Sequence, residues 1–308
     1  MSKINKLLEI SKISGREGLG IDPLTMKFLL YAHKFGDFKK TIMLGRLNFW
    51  EISVRDLKHL PENECLKRHL RGNKYYVEEL LKDCFGSSIV DSIDVNDFEG
   101  ATIIHDMNVE IPNNLKGKYD TVIDGGTLEH IFNIPQALDN ASYLCKPGGQ
   151  IIHMLPANNQ CGHGFWQMSP ELFFSLYSDK NGYKDTDVFL ARSSNGKYFY
   201  KVIKPENGKR VNIYSHDEVG AYIRSVRKQT EFSHKDVQQS DYVYLWNEHD
   251  HKGTGIHNRL ESFLRSKDLI FKMAKKVYLP YWHKINSLSR HNSNLIQVNM
   301  SHLLQREN

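Results

Sequence analysis

The chain has 308 residues and a formal net charge of +5, and 40% of its residues are hydrophobic and 25% charged. These values are ordinary for a soluble globular protein with one large domain. The mild charge argues against a nucleic-acid partner, because nucleic-acid-binding domains are usually more basic and more locally so. No apolar run approaches the ~18 residues of a membrane span, and the N-terminus lacks an apolar signal segment.

The cysteines are scattered and form no C-x-x-C pair: Cys65, Cys84, Cys145 and Cys161. This pattern predicts reduced thiols in the cytoplasm rather than a disulfide framework or a zinc knuckle. Cys145 lies just before the motif at 146–149 and is most simply a core residue.

The first elements of the chain are predicted from the spacing of its apolar residues. Residues 1–36 form a cap whose second half, Pro23 to Lys34, is a helix with a broad apolar face. Thr41 to Leu44 is the first strand. A charge-rich stretch at about 50–74 is interpreted as an insertion, and Tyr75 to Phe85 has the apolar spacing of a helix.

Short apolar runs predict three further strands, and an acidic residue follows the end of each: 89–93 with Asp94, 101–104 with Asp106 nearby, and 119–123 with Asp124. Ligands bind at the carboxyl ends of strands in open α/β sheets, so we expect these acids at one edge. Asp94 suits the two hydroxyls of a ribose. The long gap from Gly45 to Asp94 argues against an NAD fingerprint, in which the acid follows by ~20 residues.

The segment 118–131 reads KYDTVIDGGTLEHI, a buried strand that ends at Asp124. Gly125 and Gly126 let the backbone approach a ligand, and Glu129 and His130 follow directly. The segment 144–156 reads LCKPGGQIIHMLP, in which proline and glycine end a helix before another buried strand. Together these segments predict a parallel βαβ unit.

This combination of an acidic turn, the LEH sequence and KPGG resembles class I S-adenosylmethionine-dependent methyltransferases, most closely the branch that methylates small molecules, quinone precursors and sugars. The resemblance extends from about Thr41 to Arg192. It implies a Rossmann-like, doubly wound α/β fold with a mostly parallel sheet and a final antiparallel strand. It also implies that Gly45 and Gly125 line the cofactor cleft, that Asp124 binds the cofactor and that Asp106 binds the adenine amino group.

The first loop departs from the family pattern, which has an acid two residues before the first glycine of G-x-G-x-G. Met43 occupies the place of the acid, and Gly45 is followed by Arg46, Leu47 and Asn48. Only one glycine of the loop is left. Arg46 is interpreted either as a partner of the cofactor carboxylate or as a structural arginine.

The acceptor side is predicted in residues 156–174, where a polar loop leaves the carboxyl end of a strand. Ser169 as the cap, Pro170 at the first position and Glu171 in the first turn then predict the start of a helix. His163, between two glycines, and His130 are the candidate catalytic residues, because a hydroxyl acceptor needs a base with a pKa near neutrality. The competing interpretation is that His163 only stabilises its own loop.

A divalent cation is a second interpretation of the same residues. Some class I enzymes that methylate vicinal hydroxyls bind a metal through E-x-x-E-H and a later histidine. Gly126 replaces the first glutamate here, which leaves Glu129, His130 and His163. Two nitrogens and a carboxylate favour Zn²⁺ or Mn²⁺ over Mg²⁺. With one ligand lost, our first prediction is a site without metal.

The far half contains a predicted strand, Asp187 to Ala191, and a hairpin turn into Tyr198 to Ile203. Asp217 to Arg227 is predicted as a helix and Tyr242 to Trp246 as the final antiparallel strand. Residues 204–238 are interpreted as a second insertion.

The extension 251–308 is predicted to be helical and basic. It is suited to a membrane surface or to a homodimer partner, or it packs against its own domain.

The sequence thus predicts a methyltransferase-like domain at 37–250 between the cap and the extension. The predicted reaction is in-line methyl transfer from S-adenosylmethionine to a small polar acceptor, such as a sugar or a glycan precursor. The alternative is a non-catalytic scaffold or partner subunit that has lost the cofactor. An NAD-dependent nucleotide-sugar enzyme is disfavoured by the missing G-x-G-x-x-G.

Overall fold

A computed structural model describes residues 20–49, 64–71, 76–194, 197–228, 237–249 and 268–305. The predicted insertion at 50–74 therefore lies largely outside the described residues, as do parts of the cap and of the extension. Among the described residues, none of the helices combines the length and the apolar character that crossing a membrane requires.

In chain order the strands and helices are β1 (Gly20–Ile21), α1 (Pro23–His33), β2 (Lys39–Leu44), β3 (Asn48–Phe49), α2 (Glu64–Arg71), α3 (Glu78–Phe85), β4 (Ser87–Asp94), β5 (Ile103–Ile104), β6 (Tyr119–Asp124), α4 (Ile134–Leu144), β7 (Cys145–Asn158), α5 (Pro170–Leu176), β8 (Tyr183–Arg192), β9 (Tyr198–Val202), β10 (Val219–Arg227), α6 (Ser240–His249), α7 (Asp268–Ile285), β11 (Leu295–Asn299) and α8 (Met300–Gln305). Short 3₁₀ helices lie at Asn113–Leu115 and Leu128–His130.

Nine strands form one sheet in the order β11-β9-β8-β10-β7-β6-β2-β4-β5. β5, β4, β2, β6 and β7 are parallel neighbours. β10 is antiparallel to both β7 and β8, and β9 is antiparallel to β8 and β11. Within this sheet β9 and β10 therefore run against all the others, which confirms the predicted α/β fold with a mostly parallel sheet.

Both faces of the sheet are covered because side chains along each strand alternate in direction. Ile42 and Val122 belong to the core cluster that contains α4 and α5, whereas Met43 and Ile123 belong to the cluster that contains α1 and α3. This is the doubly wound arrangement that the sequence predicted.

Two predicted elements are wrong. Residues 219–227 form the central strand β10 instead of a helix, and residues 240–249 form helix α6 instead of the final strand. Charge concealed the strand: Arg224 and Arg227 are buried, and they bond to the Gln150 side chain and to main-chain carbonyls. The aromatic run at 242–246 is exposed on α6, since short apolar runs do not distinguish strand from helix.

Two further expectations differ from the structure. Cys65 and Cys84 form a disulfide between α2 and α3, so the prediction of reduced thiols is wrong for this pair. The two cysteines come together only after α2 packs on α3, and their spacing resembles no common motif. The extension is also not helical throughout, because β11 joins the sheet beside β9.

Candidate functional site

The carboxyl ends of the central strands meet at one edge of the sheet. Leu44, at the end of β2, is paired with Ile93 on one side and with Asp124 on the other, and Asp124 is paired with His153 of β7. The loops that follow these strands therefore start side by side, as ligand-binding loops do in doubly wound sheets.

The loop after β2 is held by a contact that only glycine permits. Gly45 has a φ of +69°, and a Cβ there would lie 2.6 Å from Oγ1 of Thr127. The Thr127 hydroxyl donates to the Leu44 carbonyl over 2.7 Å, and the Gly45 N–H donates to the Ile93 carbonyl over 2.9 Å. The structure therefore gives Gly45 a role in joining the loops after β2 and β6.

Leu47 fills the space next to Gly125. Its side chain is 3% exposed, and a Cβ on Gly125 would collide with its Cδ2 atom. Leu47 occupies the position of the second glycine in the family pattern. The structure therefore places a side chain where the sequence predicted an open cofactor cleft lined by Gly125.

Arg46 is bound on several sides by the chain itself. Its Nε donates to Oε1 of Glu78 over 2.6 Å, and Nη1 donates to the Glu99 carbonyl over 2.7 Å. The guanidinium carbon lies 3.7 Å from the centre of the Tyr76 ring, a cation–π distance. Of the two interpretations of Arg46, this geometry supports the structural one.

Asp94 and Asp106 lie where the sequence predicted, after β4 and β5. Asp94 is half-buried, and its Oδ1 accepts the Val95 N–H over 2.7 Å. Asp106 is exposed, and its Oδ1 accepts two hydrogen bonds from Asn108, over 2.9 Å from the main chain and 2.8 Å from the side chain. These bonds hold the pKa of Asp106 below its ordinary value. Both acids are thus present as acceptors at the same edge.

Asp124, predicted as a cofactor-binding residue, is bonded to the chain itself. Its carboxylate is fully buried, and Oδ1 accepts the Thr127 N–H over 2.9 Å. Oδ2 lies 2.8 Å from Nδ1 of His153, and Nε2 of His153 lies 2.6 Å from the Tyr177 hydroxyl.

In one arrangement that satisfies this buried network, His153 donates from Nδ1 to Asp124 and Tyr177 donates to Nε2. Burial raises the pKa of Tyr177 well above its ordinary value, so this hydroxyl keeps its proton. Sequence reasoning missed both partners of Asp124. The available signal was a single histidine inside the apolar strand at 150–155, next to the acidic strand in the βαβ unit.

The structure brings Glu129, His130 and His163 together. The Glu129 side chain is 0% exposed, and its Oε1 lies 3.2 Å from Nε2 of His163 and 3.8 Å from Nε2 of His130. The histidine side chains are 38% and 42% exposed, and their ring centres are 5.3 Å apart. A buried carboxylate thus lies beneath two partly exposed imidazoles.

The loop after β7 is fixed against Glu129 by its main chain. The N–H groups of Phe165 and Trp166 donate to the Glu129 carbonyl over 2.7 and 3.2 Å. Gly164 has a φ of +80°, and a Cβ there would lie 2.8 Å from the same carbonyl oxygen. The Trp166 indole donates to the Ile131 carbonyl over 2.9 Å. These contacts place His163 beside Glu129.

One oxygen of Glu129, Oε2, is buried and has no hydrogen-bond partner among the described residues. Burial raises the pKa of this carboxyl group by more than the hydrogen bond to His163 lowers it. One ligand atom from each of Glu129, His130 and His163 lies within 4.8 Å of the others, so the group has the donors for a metal ion. An unpartnered buried oxygen normally indicates a missing partner.

No family model and no curated protein matches this chain. Among solved structures, it is similar to a possible histamine N-methyltransferase from Thermotoga maritima (11% identity, TM-score 0.35, 66% of this chain and 89% of the other). It is also similar to a putative methyltransferase from Bacillus halodurans (11%, 0.34, 65% and 99%) and to 1,6-didemethyltoxoflavin-N1-methyltransferase from Burkholderia thailandensis (12%, 0.38, 74% and 88%). At such low identities and TM-scores, these similarities establish no activity for this chain.

Proposed function

We propose that this protein is an S-adenosylmethionine-dependent methyltransferase that acts on a small polar acceptor. The observation that carries the proposal is the distribution of polar side chains along one edge of the sheet. Asp94 is the last residue of the strand on one side of β2, whereas Glu129 and His163 follow the strands on its other side. A carboxylate suited to a ribose thus shares an edge with a carboxylate–histidine pair suited to an acceptor.

The residues fit the cofactor at one end better than at the other. Asp94 is suited to the ribose hydroxyls, and Asp106 to the adenine amino group. At the methionine end, Leu47 already fills the space at Gly125. The cofactor, when bound, supplies a methyl group on a sulfonium, and binding it here requires Leu47 to move aside.

The chain's own contribution to the reaction lies in positioning and in proton transfer. Glu129 fixes the ring of His163 through Nε2, which leaves Nδ1 of the ring to take the proton of the acceptor. His130 lies beside the same ring. His163 is therefore the base that we assign to a hydroxyl acceptor.

A polar pocket supports a polar acceptor such as a sugar. The pocket has a volume of about 330 Å³, and its lining includes Arg192, His283, Lys284 and Asp217, whose Oδ2 lies 3.7 Å from Nη1 of Arg192. Arg192 is the last residue of β8, so the pocket lies at the same edge of the sheet. Asn159, from the loop that carries His163, donates to the carbonyls of Ser215 and Asp217 beside it.

A divalent cation at Glu129, His130 and His163 is a second candidate feature, favoured by the unpartnered Oε2. Bound there, it would hold a hydroxyl-bearing acceptor. Chelator-treated, disulfide-intact protein titrated with Mn²⁺ tests this. One equivalent should bind to the wild type and none to His163→Gln, and equal binding to the two proteins would rule the cation site out.

Titration calorimetry with S-adenosylhomocysteine tests the main proposal. We expect micromolar binding by the wild type and at least tenfold weaker binding by Asp94→Asn. Asp97→Asn, in the same turn, is the matched control and should bind like the wild type. If neither the wild type nor the metal-loaded protein binds, the non-catalytic scaffold that Leu47 favours replaces the methyltransferase.

A further inference from the structure

A second group of side chains with metal-binding chemistry lies where α2 meets α3. Cys65 and His69 are four residues apart on α2, so they share one face of that helix. Cys84 lies in the last turn of α3. The two sulfurs and one ring nitrogen of His69 lie within 4.8 Å of one another, and His69 is 6% exposed.

A carboxylate orients the histidine of this group. Nε2 of His69 lies 2.9 Å from Oδ2 of Asp83, the residue next to Cys84. Histidines that bind metals commonly bond their other ring nitrogen to a carboxylate, which fixes the tautomer and the ring orientation. Asp83 in this position assigns the metal-binding role to Nδ1 of His69.

We propose that, once its disulfide is reduced, this chain binds one zinc ion through Cys65, His69 and Cys84. Two thiolates and an imidazole are soft and borderline donors that suit zinc, and water takes the fourth tetrahedral position. A dithiol reductant converts the disulfide to two thiols and is itself oxidised to a disulfide. Zinc then displaces the two thiol protons to solvent.

The two states join the same helices by different bonds. In the oxidised chain α2 and α3 are linked covalently, and in the reduced chain zinc links them. This site is independent of the proposed methyl transfer.

Cobalt binding to the purified full-length chain tests the proposal, because thiolate ligands give Co²⁺ an intense charge-transfer absorption. The protein is first treated with excess dithiothreitol under nitrogen and desalted. We expect one equivalent of Co²⁺ with this absorption, displaced by Zn²⁺, and none with the disulfide-intact protein. Binding at Glu129, His130 and His163 involves no sulfur and gives no such absorption.

Variants distinguish metal binding by Cys65, His69 and Cys84 together from metal binding by thiols alone. His69→Gln should abolish stoichiometric binding, and Asp83→Asn should weaken it about 10–100-fold. Cys161→Ser, at an exposed cysteine outside the group, is the matched control and should bind like the wild type. Circular dichroism checks that each variant folds. The proposal fails if the reduced wild type lacks the thiolate absorption or if His69→Gln binds as tightly.

Discussion

The loops along the edge of the sheet use glycine in the same way but differ in what they leave unpaired. In the loops after β2 and β6, the chain fills its own glycine positions: Thr127 lies against Gly45 and Leu47 against Gly125. In the loop after β7, Gly164 likewise lets the main chain approach Glu129, but one oxygen of that buried carboxylate has no hydrogen-bond partner among the described residues. A glycine therefore indicates close approach, and only the structure shows whether the approaching group is a ligand or the chain itself.

The largest expected effect comes from removing Leu47. Leu47→Ala should lower the free energy of unfolding by about 2–5 kcal/mol, because a buried leucine leaves a cavity. If Leu47 obstructs the cofactor cleft, the same change should tighten S-adenosylhomocysteine binding. Both quantities are measured by denaturant unfolding and calorimetry.

Leu138→Ala, at a buried leucine of α4, is the matched control for that experiment. Its free energy of unfolding should fall by a similar amount, and its affinity for S-adenosylhomocysteine should be unchanged. If both variants, or neither of them, bound S-adenosylhomocysteine more tightly than the wild type, Leu47 would not be an obstruction in the cofactor cleft.

Gly164→Ala is expected to cost about 1–3 kcal/mol, because the left-handed φ and the nearby Glu129 carbonyl both oppose a Cβ. It should also displace His163 and impair acceptor methylation more than cofactor binding. Gly162→Ala is the matched control, since a Cβ there meets nothing within 4 Å. Equal stability of the two variants in urea unfolding would contradict the account of this loop.

Tyr177→Phe tests the buried network of Asp124, His153 and Tyr177. It removes the donor to His153 and should cost about 1–3 kcal/mol, the usual price of an unsatisfied buried group. Affinity for S-adenosylhomocysteine should be unchanged, because Asp124 serves the fold. Tyr198→Phe, on β9 and outside this network, should have little effect on unfolding. A marked loss of affinity in Tyr177→Phe would restore Asp124 as a ligand contact.

Much of the fold could be predicted because its signals are local. The parallel strands are short apolar runs, and Pro170 and Ser169 mark the start of α5 as predicted. β10 escaped prediction because its buried arginines find partners on other elements, Gln150 and the end of α4. Burial of charge is a property of the packed structure, and no spacing in the sequence reveals it.

The sequence predicted where the residues of the candidate site lie better than it predicted what each of them does. The sequence grouped Glu129, His130 and His163, and the structure brings them together. The sequence could not show that Leu47 covers Gly125, because these residues lie far apart in the chain, in the loops after β2 and β6. The pairing of Cys65 with Cys84 likewise depends on how two helices pack.

The position of β11 has a consequence for synthesis of the protein. Residues 295–299 pair with β9 along the full length of that strand, although they are translated well after it. Until they leave the ribosome, β9 presents an open edge that another chain can pair with. A nonsense mutation at the codon of Asn294 should therefore yield a product that aggregates, even though every residue of the ligand edge has been made.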